Sequence, residues 1–180
     1  MLPRYLIAVA LSILWALPFI RKYAVPREKA VAKDTSARWG IILQAFSKIV
    51  LWIMPAPYVP AWRIALGILF GIVGIVAARS AIRHLDKQWR LDAALSADHQ
   101  LIRTGPYAVL RHPIYAGMFA MQFAVGLLLA QWPAFAAGIV LYVAGTEIRV
   151  RSEENLLRSR FGEEFDVWAR QARAYIPFVR

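Results

Sequence analysis

Gly105-Pro106-Tyr107, followed by Arg111-His112-Pro113-Ile114-Tyr115-Ala116-Gly117, stands immediately before a long apolar segment. Two prolines and two glycines keep this run from being one continuous helix, because Pro lacks a backbone donor and Gly adopts backbone angles that other residues avoid. The broken chain carries an Arg, a His and two Tyr to the edge of an apolar span. At membrane depth, irregular backbone is tolerated only where protein covers it or where it lines a cavity. The stretch is therefore a candidate site at a membrane boundary.

Outward from this stretch, apolar runs dominate. Hydrophobic residues make up 59% of the 180 residues, which argues against a soluble domain. Five apolar segments, about 5–20, 39–54, 62–82, 115–130 and 134–149, each approach the ~20 residues that cross the hydrocarbon as a helix. The expected fold is thus an all-α integral membrane protein of five transmembrane helices, a single domain over 1–180. Its first 60 residues hold helices one and two, and residues 61–180 hold the remaining helices and a C-terminal cytoplasmic helix. Gln131-Trp132-Pro133 is too short for anything but a hairpin turn between helices four and five.

The formal net charge of +11 raises the question of nucleic acid, but the basic residues fall between and beside the apolar runs. That pattern belongs to a membrane protein facing an anionic cytoplasmic leaflet, so membrane lipids rather than nucleic acid are the expected partners. Arg21, Lys22, Arg27, Lys29, Lys33 and Arg38 follow helix one. Arg83, Lys87, Arg90, Arg103 and Arg111 follow helix three. Arg151, Arg158, Arg160, Arg170, Arg173 and Arg180 fill the tail, whereas only Arg63 stands by the connection after helix two. The positive-inside rule then places the N-terminus outside and the C-terminus in the cytoplasm, in the cytoplasmic membrane if the source is a bacterium. Arg4 before the first apolar core raises the possibility of a signal peptide. Arg21 and Lys22 follow that core without a small-residue cleavage pattern, so an uncleaved helix is expected. Trp39, Trp62 and Trp132 stand at segment ends as interfacial anchors do.

No Cys is present, which excludes disulfides and thiolate chemistry. Three His without Cys make no metal site by spacing. After helix five, Glu147/Arg151, Arg149/Glu153 and Glu154/Arg158 form i,i+4 pairs of a solvated helix. Alternatively, Glu153 and Glu154 face the Arg111–Tyr115 stretch across the hairpin. Phe161-Gly162 ends that helix, with Gly162 suited to a C-cap. In helix two, Gln44, Ser47 and Lys48 share one face. A lysine within a span is costly unless it snorkels or faces a cavity or a partner, so Gln44 and Lys48 are candidates for a polar wall of a substrate cavity. Gly67, Gly71 and Gly74 of helix three permit close helix approach, within the chain or in a dimer. The sequence leaves the oligomeric state open.

His99-Gln100-Leu101, Thr104-Gly105-Pro106-Tyr107, Arg111 through Gly117, Glu153-Glu154-Asn155-Leu156-Leu157 and Phe161-Gly162-Glu163-Glu164-Phe165 occur in order. Together they resemble the isoprenylcysteine carboxyl methyltransferase family and its bacterial and archaeal relatives, which include phospholipid methyltransferases. The resemblance runs from about Trp62 to Pro177. It implies an integral-membrane enzyme that uses S-adenosylmethionine, with a cytoplasmic cofactor pocket in the C-terminal half and an amphipathic or prenylated acceptor entering from the bilayer. Carried over, His112, Pro113, Tyr115 and Gly117 line the cofactor pocket, and Glu153 and Glu154 hold its polar end. His99 and Tyr107 lie near it. Arg111 orients the acceptor or the cofactor carboxylate, so Arg111 and Glu154 are the catalytic candidates. Trp168 joins Lys48 and Gln44 at the substrate cavity. The family often has Tyr where this chain has Phe165 and Trp168, and Val-Pro-Arg where it has Ala172-Arg173-Ala174, a departure that touches the acceptor rather than the cofactor.

Methyl transfer from a sulfonium is an in-line displacement that mostly needs alignment and exclusion of water. A carboxylate acceptor needs no base, and carboxyl methylation of an isoprenylcysteine is the expected reaction. An amine acceptor, as in a phospholipid N-methyltransferase, must lose a proton. Two further rivals are an NADPH-dependent membrane reductase of the sterol-reductase type, which has related C-terminal motifs, and, in a different class, a non-catalytic lipid-binding membrane protein.

Overall fold

The computed structural model describes residues 2–23 and 29–175. Arg27 and Arg180, counted above among the basic residues, and Pro177 lie outside the described residues. The helices are α1 (Leu2–Tyr23), α2 (Ala37–Ile53), α3 (Ala61–Leu85), α4 (Pro113–Leu129), α5 (Trp132–Phe161) and α6 (Glu163–Gln171). The five long ones fall on the five apolar segments. Three of them, α1, α3 and α5, are long and apolar enough to cross a membrane. The other two, α2 and α4, have 17 residues each, about 25 Å at 1.5 Å per residue. Pro55 and Pro57 follow α2, and Pro113 opens α4, so neither can lengthen at those ends.

Two seams of small residues pair the helices. A Cβ on Gly74 of α3 would sit 2.8 Å from the Gly117 carbonyl of α4, and one on Gly40 of α2 would sit 2.4 Å from the Gly145 carbonyl of α5. Backbones this close require glycine on both sides. Gly67 faces Leu128 and Gly71 faces Leu11 of α1. The glycines of α3 thus pack within the chain.

One end of the bundle is tied by two buried arginines. Arg63 donates to the carbonyls of Gly126 and Ala130 at 2.9 and 2.7 Å, and its guanidinium lies 4.5 Å from the Trp132 ring centroid. Arg4 donates to the Ala56 carbonyl. The start of α1, the end of α2, the start of α3 and the α4–α5 turn therefore meet there. The opposite end collects the longer connections, and here a short two-stranded ribbon is added to the helical fold expected from the sequence. Ala30–Lys33 (β1) pairs antiparallel with Ala94–Ser96 (β2), and Asp34 donates its N–H to the Ala93 carbonyl. The strands satisfy backbone groups that would otherwise be left unpaired where β2 is buried. A 3-10 turn, Gly105–Ala108, follows, and Gly162 (φ +52°) closes α5 before α6.

The seams predict that Gly145→Ala lowers stability by about 1–3 kcal/mol through overpacking, because the added Cβ would meet the Gly40 carbonyl at 2.7 Å. Exposed Ala144 on the same helix should accept Ser within about 0.5 kcal/mol. Thermal unfolding of both variants in detergent checks the pair.

Candidate functional site

The Gly-Pro-Tyr turn is shaped by a backbone that only glycine accepts readily. Gly105 has φ +58°, and a Cβ there would also sit 2.2 Å from His84 Nε2 at the end of α3. The turn delivers Tyr107, buried, with its carbonyl accepting from Trp168 Nε1 at 3.0 Å. The next residues run parallel to the tail. Arg173 donates its N–H to the Val109 carbonyl at 2.9 Å, Arg111 to that of Arg173 at 2.6 Å, and His112 to that of Ala174 at 2.8 Å. His112 then caps α4 and Pro113 occupies its first turn, where the missing N–H costs nothing.

The two carboxylates of α5 diverge. Glu154 turns inward, with its side chain 7% exposed, and accepts from Arg111 Nε at 2.8 Å. It also lies 3.3 Å from His112 Nε2. Arg111 continues to the carbonyls of Ala169 and Ala172 through Nη1. Glu153, 26% exposed, lies 3.4 Å from His112 Nδ1 and 3.5 Å from Arg149 Nη2, and it accepts the Tyr115 hydroxyl. His112 therefore sits between both carboxylates. Arg149 lies 5.1 Å over the Tyr115 ring and donates to the Leu91 carbonyl at 2.7 Å, which ties the segment before β2 to α5.

These groups border a cavity of about 500 Å³. His99, Tyr107, Arg111, His112, Tyr115, Glu153 and Trp168 of the expected residues line it. Glu154 and Pro113 are not among its lining residues. Gly117 packs on Gly74 and Ala78 of α3 instead. Gln44 is buried between α2 and α5, donating to Thr146 Oγ1 at 2.8 Å, so it is not a cavity wall. Lys48 borders a separate, smaller cavity, because one residue along a helix turns the side chain about 100° from Ser47. Of the expected helix pairs, Glu147–Arg151 and Arg149–Glu153 form. Glu154–Arg158 does not: Glu154 is taken by Arg111, and Arg158 pairs with Asp166 of α6 at 2.9 Å. The α1 residues Trp15, Phe19 and Ile20 and the 88–95 segment also line the cavity. Nothing in their spacing marks them, since the contact is tertiary. Arg149 had a signal, its i,i+4 relation to Glu153.

Outside the helices, burial first and the Arg90 charge second push the His99 pKa below its ordinary value, so His99 is neutral at pH 7. Its Nδ1 is buried without a hydrogen-bond partner. Burial, with the Glu153 charge adding to it, raises Tyr107 well above the ordinary value and keeps its hydroxyl protonated. For His112, burial disfavours the charged form, but hydrogen bonds and charge from Glu153 and Glu154 outweigh it and raise the pKa.

A raised His112 pKa contributes stability that is complete below its unfolded value of about 6.5 and is lost as pH rises through the folded value. The melting temperature should therefore fall as pH is raised above about 6.5, and more steeply than in His112→Gln. Parallel slopes for the two proteins would contradict this.

A family profile described as phospholipid methyltransferase matches residues 62–164. The chain is 28% identical over 123 residues to a protein-S-isoprenylcysteine O-methyltransferase of Tribolium castaneum, covering 66% of this chain and 43% of that protein. It is 28% identical over 117 residues to protein-S-isoprenylcysteine O-methyltransferase B of Arabidopsis thaliana, covering 64% and 56%. It is also 32% identical over 78 residues to a nickel-cobalt-cadmium resistance protein, NccN, of Alcaligenes xylosoxydans xylosoxydans, covering 43% and 36%. The first two matches thus span about half the length of those relatives. With the profile running from the start of α3 into α6 and across the whole Tyr107–Glu154 constellation, the chain belongs to the phospholipid methyltransferase family.

Proposed function

We propose that the protein transfers a methyl group from S-adenosylmethionine to the carboxylate of an amphipathic, isoprenylcysteine-type acceptor. The observation that carries this reading is one cavity with two kinds of wall. Glu153, Tyr107 and His99 line it alongside apolar α1 side chains, Trp15, Phe19 and Ile20. Its volume of about 500 Å³ lies within the range of cofactor and drug-sized ligand sites, roughly 300–1,000 Å³.

The residues fit the cofactor. Glu153 offers a carboxylate for ribose hydroxyls or a cationic group. Buried His99 Nδ1, without a partner, offers one more hydrogen bond, and Tyr107 offers a neutral donor. When bound, the cofactor supplies an electrophilic methyl group on a sulfonium that leaves as a neutral thioether. The apolar side chains of α1 hold the acceptor's hydrocarbon and exclude water, so donor and acceptor are aligned in a dry site. A carboxylate acceptor needs no base. We assign Arg111 a positioning role: its Nε and Nη1 hold Glu154 and the tail carbonyls, and with them the wall made by His112 and Trp168. Glu154 acts through Arg111 and His112, and Glu153 is the carboxylate that meets the ligand.

An N-methylating phospholipid enzyme is the second reading, favoured by the description of the matching family. There Glu153 would take the proton of the amine. The similarity to the resistance protein extends over 78 residues, and no group of three or more His, Cys, Asp or Glu able to hold a metal occurs among the described residues, so methyl transfer is the reading we favour. We further propose five passes with the N-terminus outside. This is supported by the alternation of helix ends between the Arg4–Arg63 end and the strand-bearing end.

Two outcomes follow. Purified protein should transfer labelled methyl to an S-farnesylcysteine in a base-labile ester, and Glu153→Gln should lower kcat/KM about 10-fold or more, the scale of one charged hydrogen bond. Base-stable label on an ethanolamine phospholipid would select the second reading. Cysteine at exposed Lys87 should be labelled only from the cytoplasm and cysteine at exposed Tyr58 only from outside, in a chain that has no native Cys. Labelling of both from one side would overturn the five-pass topology.

A further inference from the structure

Beside the main cavity lies a second one of about 240 Å³, between α1, α2 and α4. Ser12 and Trp15 of α1, Lys48 and Trp52 of α2, and Met121 and Val125 of α4 line it. Trp15 and Ala16 line both cavities. Apart from Lys48 and the Ser12 hydroxyl, the walls are apolar or aromatic. The Ser12 hydroxyl donates to the Ala8 carbonyl.

Lys48 brings an ammonium into these walls. It lies 5.6 Å from the Trp15 ring centroid, and no hydrogen bond or ion pair ties it to another described residue. The buried Trp15 Nε1 has no hydrogen-bond acceptor either. Two donor-bearing side chains, one of them charged, thus border one cavity with no acceptor among the described residues. A charge within a span is retained where it faces a partner or a functional path, and a buried N–H without an acceptor is itself unfavourable.

We infer that this cavity seats the carboxylate of an amphiphile, with Lys48 as its counter-ion and Trp15 Nε1 as its second donor. A carboxylate has two oxygens and no donor of its own, which matches two donors and one positive charge. The volume is below the usual range for drug-sized ligands. It takes an ionic head and a short length of chain, and the remainder runs past Trp15 and Ala16 into the larger cavity. Lys48 and Trp15 lie outside residues 62–164, the part matched by the family profile. The amphiphile is either the methyl acceptor, carrying a second carboxylate at its far end, or a separate fatty-acid-like molecule. The inference goes beyond methyl transfer and is tested by binding alone.

The probes are palmitate and 1-hexadecanol, titrated into the full chain in phosphatidylcholine nanodiscs by calorimetry. Palmitate should bind about 10-fold or more tighter than the alcohol, as one charge-assisted hydrogen bond implies. Lys48→Met should remove that preference and Lys48→Arg should keep it. Trp15→Phe, which retains a ring and loses the N–H, should weaken palmitate about 3-fold. S-adenosylhomocysteine affinity should be unchanged in the Lys48 variants, which confirms an intact fold separately from the seat. Equal binding of the two probes, or a preference that survives Lys48→Met, would overturn the inference. In the methyl-transfer assay, a rise in the acceptor's KM in Lys48→Met would identify the acceptor as the source of the carboxylate. An unchanged KM in that variant, with palmitate preference lost, would identify a separate amphiphile.

Discussion

Two adjacent carboxylates on one helix, one buried and one partly buried at the edge of a bilayer, must each find cationic or donor partners. A buried charge is tolerated only when it is paired and hydrogen-bonded. Glu154 finds Arg111 and His112, and Glu153 finds His112, Tyr115 and Arg149. Those partners come from the foot of α4, the residues before it and α5 itself. Arg111 extends the network to the tail carbonyls, and Arg149 extends it to Leu91 before β2. Satisfying two charges thereby gathers the foot of α4, α5, the tail and the segment before β2 around the main cavity, whereas α1 joins its wall by apolar contact. Removing one partner leaves a buried charge exposed to an apolar environment, so the network acts as a unit rather than as a sum of pairs.

The glycine seams make that network reachable. With α3 and α4 in backbone contact at Gly74 and Gly117, and α2 and α5 at Gly40 and Gly145, α4 and α5 are held at fixed depth by separate neighbours. Arg63 and Arg4 fix the opposite end by donating to carbonyls freed at the turns. These two arginines are buried in the protein and serve as ties. That is why the basic residues of this end do not contradict the sidedness suggested by the exposed arginines and lysines elsewhere.

Much of this was legible in the sequence. The apolar runs mark all five long helices, Gly162 marks the α5–α6 break, and the Gly-Pro-Tyr and Arg-His-Pro run marks the irregular segment that borders the cavity. These signals are local: hydropathy, proline and positive φ. Tertiary choices were not legible. Glu154 has an i,i+4 partner in Arg158 by spacing, yet a buried Arg111 outcompetes a solvent-exposed pair. Gln44 and Lys48 share a face by periodicity but part company, one in a helix seam and the other at a cavity. Gly117 lies within the resemblance motif, but its bare backbone serves α3. The strands and the α1 wall depend on segments far apart in sequence, which no local pattern marks.

On the proposed function, the cavity beside Glu153 is a nucleoside-cofactor site for methyl transfer. The most direct measurement is calorimetry of the purified chain with S-adenosylhomocysteine and, separately, with NADPH. The account predicts saturable binding of S-adenosylhomocysteine at one site per chain and none of NADPH. Binding of NADPH alone, or of neither, would contradict it.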